Sequence, residues 1–240
     1  MARLIPTLAG DVHVLSRDAA FAELARRLNA QVAARPVSVG LSGGSTPKAF
    51  YAWARERAAL PFETLVRTDW HVSDERCVPL RSDDSNFGHA ARGLLDPLGV
   101  PALRRHPWPT EFTPRVAAEA YDDAWTRRSP RRAFDLCVLG LGDDSHIASL
   151  WPGCPLIGAP GLPRFAATEW PGRGWRLTIT EAGLAQCGAI VVLVNGRAKA
   201  AALRAVCEGE LDPATHPGQV LRAWSAKVTW LADEEAAAAL

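Results

Sequence analysis

No run of residues in this chain comes near the roughly 18 consecutive apolar positions of a membrane-spanning helix, so a chain not embedded in a membrane is expected. Its start, MARLIPTLAGDVHVLS, lacks the apolar centre and small-residue cleavage site of a secretion signal, and a cytoplasmic protein is expected. Excess charge of one sign is missing too. Twenty-seven basic against 26 acidic side chains leave a net charge of +1, too little for the broad positive field that nucleic-acid or anionic-membrane binding relies on. Any anionic ligand must be held by a local site. Metal-ligand spacing is also absent: the five cysteines form no C-x-x-C pair and the histidines no H-x-x-x-H, so no metal is expected. Cys137, Cys187 and Cys207 lie in or beside apolar runs, where a thiol acts as a small buried hydrophobe in a reducing compartment. Lysine is scarce, 3 residues against 24 arginines, a compositional bias that indicates no function.

What is present is an ordinary globular composition, 48% hydrophobic and 22% charged over 240 residues, enough for one large core. A single domain over residues 1–240 is expected. Asp11 to Leu15 leans toward a strand, and Ser16 is placed to cap a helix in which Phe21, Leu24, Ala25 and Leu28 recur at helical spacing. Val37 to Leu41 reads as a strand, followed by a glycine turn and a helix opened by Thr46 and Pro47. Further strands are expected at Val66 to Val72, Phe134 to Leu141, Arg176 to Thr180, Ala189 to Val194 and Val228 to Leu231. Helices are expected after Ser85, Thr113, Lys199 and Asp233, and the proline- and glycine-rich segment from Pro152 to Pro163 reads as a long loop. Strands alternating with helices argue an α/β fold: a Rossmann-like, largely parallel sheet with helices on both faces, three layers α/β/α. Ligands of such sheets sit at the carboxyl ends of the strands, which directs attention to the loops after Leu41, Val72, Leu139 and Val194.

Each of those loops carries chemistry. In LSGGSTP, Gly43 and Gly44 let the backbone turn sharply and approach a ligand, while the next helix offers unpaired N–H groups beside Ser45. A Walker loop is excluded because Lys48 follows a proline rather than a second glycine, and a G-x-S-x-G elbow because Pro47 occupies its last position. HVSDERCVPLRSDDSNFG supplies Asp74, Arg76 and Asn86, the arginine with a planar fork suited to phosphate. LGLGDDSHIASLWPG brings Asp144 two residues before His146. VLVNGRAKA places Lys199 at a helix start.

Taken together and in this order, these segments, with FDL-x-x-LGLG-x-D-x-H-x-ASLWPG, the RLTIT strand and a closing VTWLAD-x-EAA, resemble the 6-phosphogluconolactonases. The wider group also contains the glucosamine-6-phosphate deaminases. The resemblance spans nearly the whole chain. It implies hydrolysis of 6-phospho-D-glucono-1,5-lactone to 6-phosphogluconate in the oxidative pentose phosphate pathway, without a cofactor, by a monomer or weak dimer whose partner is the sugar-phosphate lactone. It further implies His146 as general base with Asp144 beside it, and Arg76 and Lys199 as phosphate ligands assisted by Gly43, Gly44 and Ser45, with Asp74, Asn86 and Arg176 also in the site. Deaminases of the group resemble D-G-H-x-A-F-N-E-P at the third loop; here Trp151 stands in place of their glutamate and Arg76 where they commonly carry tyrosine, which favours the lactonase. Ser145 departs from the glycine usual in both groups. The alternatives are a deaminase or isomerase, and a sugar-phosphate binding protein without activity.

A histidine with a reference pKa near 6.5 can take a proton from water at neutral pH and return one to the ring oxygen as it leaves. No serine or cysteine shows an activating motif, so direct attack by water is expected, with backbone N–H groups near the glycine loop as oxyanion donors.

Overall fold

The computed structural model describes residues 3–129 and 132–240. The strands are β1 (Arg3–Thr7), β2 (Gly10–Val14), β3 (Val37–Leu41), β4 (Thr68–Val72), β5 (Asp74–Arg76), β6 (Leu136–Gly140), β7 (Phe165–Trp170), β8 (Gly174–Ile179), β9 (Ala189–Val194) and β10 (Val228–Ala232). The α-helices are α1 (Arg17–Ala34), α2 (Ser45–Glu56), α3 (Phe62–Arg67), α4 (Asn86–Ala90), α5 (Pro114–Arg128), α6 (Glu181–Ala185) and α7 (Ala200–Glu208). Seven strands form one sheet in the order β1-β2-β10-β9-β6-β3-β4, parallel throughout except for the β1–β2 pair at one edge. The strands β3, β6 and β9 at its centre are nearly wholly buried, which is why β6 and β9 are almost entirely apolar. The fold class is therefore the expected α/β, with a largely parallel sheet. No helix among the described residues is long and apolar enough to cross a membrane.

A second, antiparallel sheet of three strands, β5-β8-β7, stands beside the first. The stretch from Arg176 belongs to it, not to the parallel sheet, and its partner β7 was not anticipated. Other differences have local causes. Val66 and Arg67 end α3 and are not strand residues, because Thr64 Oγ1 on α3 donates to Asn29 Oδ1 on α1 (2.8 Å), a helix-to-helix tie that outweighs the β-leaning composition. Gly44, with φ +93°, takes the position before α2, so the helix starts at Ser45 and Thr46 caps nothing. Asp233 heads a series of turns, not a helix; its carboxylate accepts from the N–H groups of Gly196 (2.9 Å) and Ala236 (2.8 Å). Ser16 and Ser85 do cap α1 and α4, accepting from Ala19 N–H (3.3 Å) and Gly88 N–H (2.9 Å). Lys227 Nζ donates to the carbonyls of Leu184 (2.9 Å), Ala185 (2.6 Å) and Cys187 (2.8 Å), closing the carboxyl end of α6.

Candidate active site

The carboxyl ends of β3, β6 and β9 and two residues of β5, Asp74 and Arg76, open onto one cleft. On the β3 side, Tyr51 O–H donates to the Ser42 carbonyl (2.6 Å) and fixes the strand end. Gly43 is required by close approach: a β-carbon there would lie 1.9 Å from Asn86 Oδ1. Gly44 then turns the chain so that Ser45 and the first N–H groups of α2 face the cleft.

Alternation along β5 sends Asp74 and Arg76 to the cleft and Glu75 into the interior, where it has no exposure. Burial pushes the Glu75 carboxyl above its usual range, opposed by the donors it meets: Arg76 N–H (2.8 Å), Asn86 N–H (2.7 Å), Phe87 N–H (2.8 Å) and Ser85 O–H (2.9 Å). One buried carboxylate thus ties β5 to the start of α4. Asn86 Nδ2 donates to the Asp74 carbonyl (2.9 Å), and Ser149 O–H to Asp74 Oδ2 (2.8 Å), linking the second loop to the third.

Arg76 and Arg176 are direct partners in the β5–β8 ladder. Burial and then the charge of Arg76 lower the Arg176 pKa. Arg76 donates to the Asp84 carbonyl (2.5 Å) and Arg176 to that of Trp175 (3.1 Å). Among the described residues no carboxylate pairs with Arg76, Arg173, Arg176 or Lys199, although twelve other arginines form ion pairs. All four of these unpaired cations line the cleft. Lys199 is brought there by the turn at Gly196, whose N–H is held by Asp233.

Facing them is an imidazole. His146 Nδ1 lies 2.5 Å from Asp144 Oδ1, and the His146 backbone N–H reaches the same oxygen at 3.1 Å. Burial raises the Asp144 pKa, but the hydrogen bond and charge of His146 outweigh it and bring the carboxyl down to about 2. An ionised carboxylate only accepts, so Nδ1 carries the hydrogen and Nε2 is the basic nitrogen. Gly142 is needed beneath this pair, since a β-carbon there would meet His146 Nδ1 at 2.0 Å. Ser145 adopts φ +68°, a left-handed backbone that favours glycine. The strain, on the order of 1 kcal/mol, is opposed by the contact of its Oγ with His216 Nδ1 (3.2 Å) and by Gly218 N–H donating to its carbonyl (2.9 Å). Serine therefore keeps the loop on a glycine-like path.

Nine of the ten residues singled out from the sequence line the cleft: Gly43, Gly44, Ser45, Asp74, Arg76, Asn86, His146, Arg176 and Lys199. Asp144 stands behind His146 instead. Sequence reasoning missed Trp170, Arg173 and Asn195, which also line it. Trp170 stacks on Trp151 with ring centres 5.0 Å apart and meets the His146 ring at 5.1 Å and 77°. The signal was available, since two β-leaning runs flank Pro171-Gly172, a turn dipeptide that announces a hairpin. No group of three His, Cys, Asp or Glu side chains able to hold a metal ion occurs among the described residues.

The sequence profile of the family described as glucosamine-6-phosphate isomerases/6-phosphogluconolactonase matches residues 13–230. A 6-phosphogluconolactonase from Synechocystis sp. is 34% identical over 210 residues, which cover 83% of this chain and 82% of that protein. The GDH/6PGL endoplasmic bifunctional protein of Oryctolagus cuniculus is 32% identical, covering 97% of this chain and 28% of that longer protein. The solved 6-phosphogluconolactonase of Trypanosoma brucei superposes with a TM-score of 0.80 at 25% identity, covering 99% of this chain and all of that one. A monomeric glucosamine-6-phosphate deaminase also reaches a TM-score of 0.80, at 17% identity and 95% coverage of this chain, so the fold alone does not separate the two activities.

Proposed function

Because the chain belongs to the glucosamine-6-phosphate isomerase/6-phosphogluconolactonase family, we propose that it is a 6-phosphogluconolactonase, an enzyme that hydrolyses 6-phospho-D-glucono-1,5-lactone to 6-phosphogluconate. The observation that carries this reading is the pairing, in one cleft, of unpartnered cations with an imidazole backed by an ionised carboxylate. The resemblance places the step in the oxidative pentose phosphate pathway. Five free cysteines support a cytoplasmic location, and one contiguous core supports a single domain over residues 1–240. The net charge of +1 argues against nucleic acid as a partner, and the reading of a monomer or weak dimer is retained.

In this reading Arg76, Arg176 and Lys199 hold the phosphate, with Ser45 and the N–H groups after Gly43 and Gly44. Asp74 and Asn86 fix the walls between them. The phosphate is remote from the carbonyl, so gripping it positions the ester in front of His146. Nε2 takes a proton from water as the water oxygen bonds to the lactone carbonyl carbon, and the carbonyl electron pair moves onto its oxygen. When that pair returns, the bond to the ring oxygen breaks and the ring oxygen takes the proton from Nε2. Asp144 holds the ring in the required tautomer and faces the imidazolium formed midway.

Trp151 supports the lactonase over the deaminase, for it stacks on Trp170 and leaves His146 with Asp144 as its carboxylate partner among the described residues. The test offers the purified protein freshly generated 6-phosphogluconolactone, with spontaneous opening subtracted, beside an assay for ammonia release from glucosamine 6-phosphate. Lactone hydrolysis that falls about 10² to 10⁴ in kcat for His146→Ala, with KM the main casualty of Arg76→Ala, is expected. Ammonia release, or phosphosugar binding without turnover, would favour one of the alternatives.

A further inference from the structure

When water adds to the lactone, negative charge appears at the carbonyl oxygen; collapse passes it to the ring oxygen, and it returns to this end, away from the phosphate, once the product acid gives its proton to solvent. A site that gathers all its cations at the phosphate leaves this second charge uncompensated. One of the four cleft cations, Arg173, sits on a hairpin turn and not in the β5–β8 ladder. Strands β7 and β8 are joined by the turn Pro171, Gly172 and Arg173, with Trp170 paired to Gly174 and Arg173 N–H donating to the Trp170 carbonyl (2.9 Å). The Arg173 guanidinium carbon lies 4.7 Å over the Trp170 ring, the same ring that the His146 imidazole meets at 5.1 Å. Arg176 reaches the same ring from farther off, at 6.0 Å, and is the ladder partner of Arg76.

We propose that Arg173 stabilises the lactone carbonyl oxygen as it becomes an oxyanion and then a carboxylate, with Trp170 as the positioning residue that holds guanidinium and imidazole to one platform. The inference rests on the lactonase reading above. A contact with an aromatic face steadies a guanidinium without neutralising it, so its N–H donors stay available to an oxygen anion. Arg173 lines the cleft, is exposed, and has no carboxylate partner among the described residues. Water attack places the carbonyl electron pair on the oxygen facing Arg173; collapse returns that pair and expels the ring oxygen, which His146 protonates. This role replaces the expectation that backbone N–H groups of the glycine loop serve as the main oxyanion donors.

The experiment compares Arg173→Gln with the parent on 6-phosphogluconolactone and on glucono-1,5-lactone lacking the phosphate, and measures inorganic phosphate as a competitive inhibitor. Because the side chain is exposed, the variant should fold as the parent does. A fall in kcat on the order of 10² on both lactones, with KM and phosphate inhibition unchanged, is expected. Trp170→Leu should fall in the same direction and Trp170→Phe recover most of it. Turnover of Arg173→Gln within about twofold of the parent, or a loss confined to the phosphorylated lactone with weaker phosphate inhibition, overturns the proposal. Where the bare lactone turns over too slowly to measure, the phosphorylated one and the inhibition decide alone. A parent inactive on both lactones overturns the lactonase reading itself, and this role with it.

Discussion

Arg76 and Arg176 face each other directly across the β5–β8 ladder, two guanidinium side chains in one antiparallel pair. Like charges so placed repel, and the nearby Asp74 carboxylate relieves Arg176 only in part, with no ion pair to either arginine among the described residues. An anion bound between them would turn a cost into a contact.

Removing one of the two charges should therefore stabilise the empty protein while harming the bound one. Arg176→Gln is expected to gain about 0.2 to 1 kcal/mol without anion, to lose most of the stabilisation that inorganic phosphate gives the parent, and to raise KM more than it lowers kcat. Calorimetry with and without phosphate reads the first two. A variant less stable than the parent in phosphate-free buffer would sink the idea.

Gly142 lies under the His146–Asp144 pair with no room for a side chain. In Gly142→Ala the new methyl would displace His146 Nδ1 or Asp144 Oδ1, at 2.0 and 2.4 Å from its position. The expected outcome is a drop in kcat approaching that of His146→Ala, with near-parent affinity for phosphate. Steady-state kinetics beside a phosphate titration checks it.

Asp144 gives a pH signature. Its carboxyl falls to about 2 in the folded chain, below the roughly 3.9 of an unfolded aspartate. A depressed carboxyl adds stability that is fully present above the unfolded value and is lost as pH falls through the folded one. The parent should thus exceed Asp144→Asn in stability at pH 6, and the difference should shrink between about pH 4 and 2. Urea unfolding of both proteins across that range measures it, and a constant gap refutes the assignment.

Glu75 serves four donors at the root of the second loop. Glu75→Ala leaves three backbone N–H groups and one hydroxyl without a partner in the interior, at about 1 to 3 kcal/mol for each unsatisfied group before relaxation. A lowered midpoint of chemical unfolding is expected, together with a raised KM, because Arg76 and Asn86 lose the anchor that sets their spacing. Parent-like stability would show that the carboxylate is dispensable.

Much of this architecture could be read from the residues. Apolar runs announced β6 and β9, the bounding Pro36 and Ser-Gly-Gly announced β3, and serine caps announced α1 and α4, because burial, turns and end-capping all leave local traces. The four loops were legible because a parallel sheet presents its strand ends on one side. The β5-β8-β7 sheet was not: β5 has only three residues, and its pairing with β8 joins segments about a hundred positions apart, which no local pattern encodes. The hairpin that carries Trp170 and Arg173 has a local mark in Pro171-Gly172, but its place beside His146 has none. The tie of Ser145 to His216 is equally non-local.

The clasp of Lys227 on three carbonyls has a practical side. The chain has three lysines, and this clasp occupies all the donors of one, leaving Lys48 and Lys199 as the ready lysine targets of an acylating reagent at mild pH. Covalent labelling read by mass spectrometry would thus follow shielding of Lys199 by a bound phosphosugar almost free of background, in a protein whose many arginines stay silent to the same chemistry.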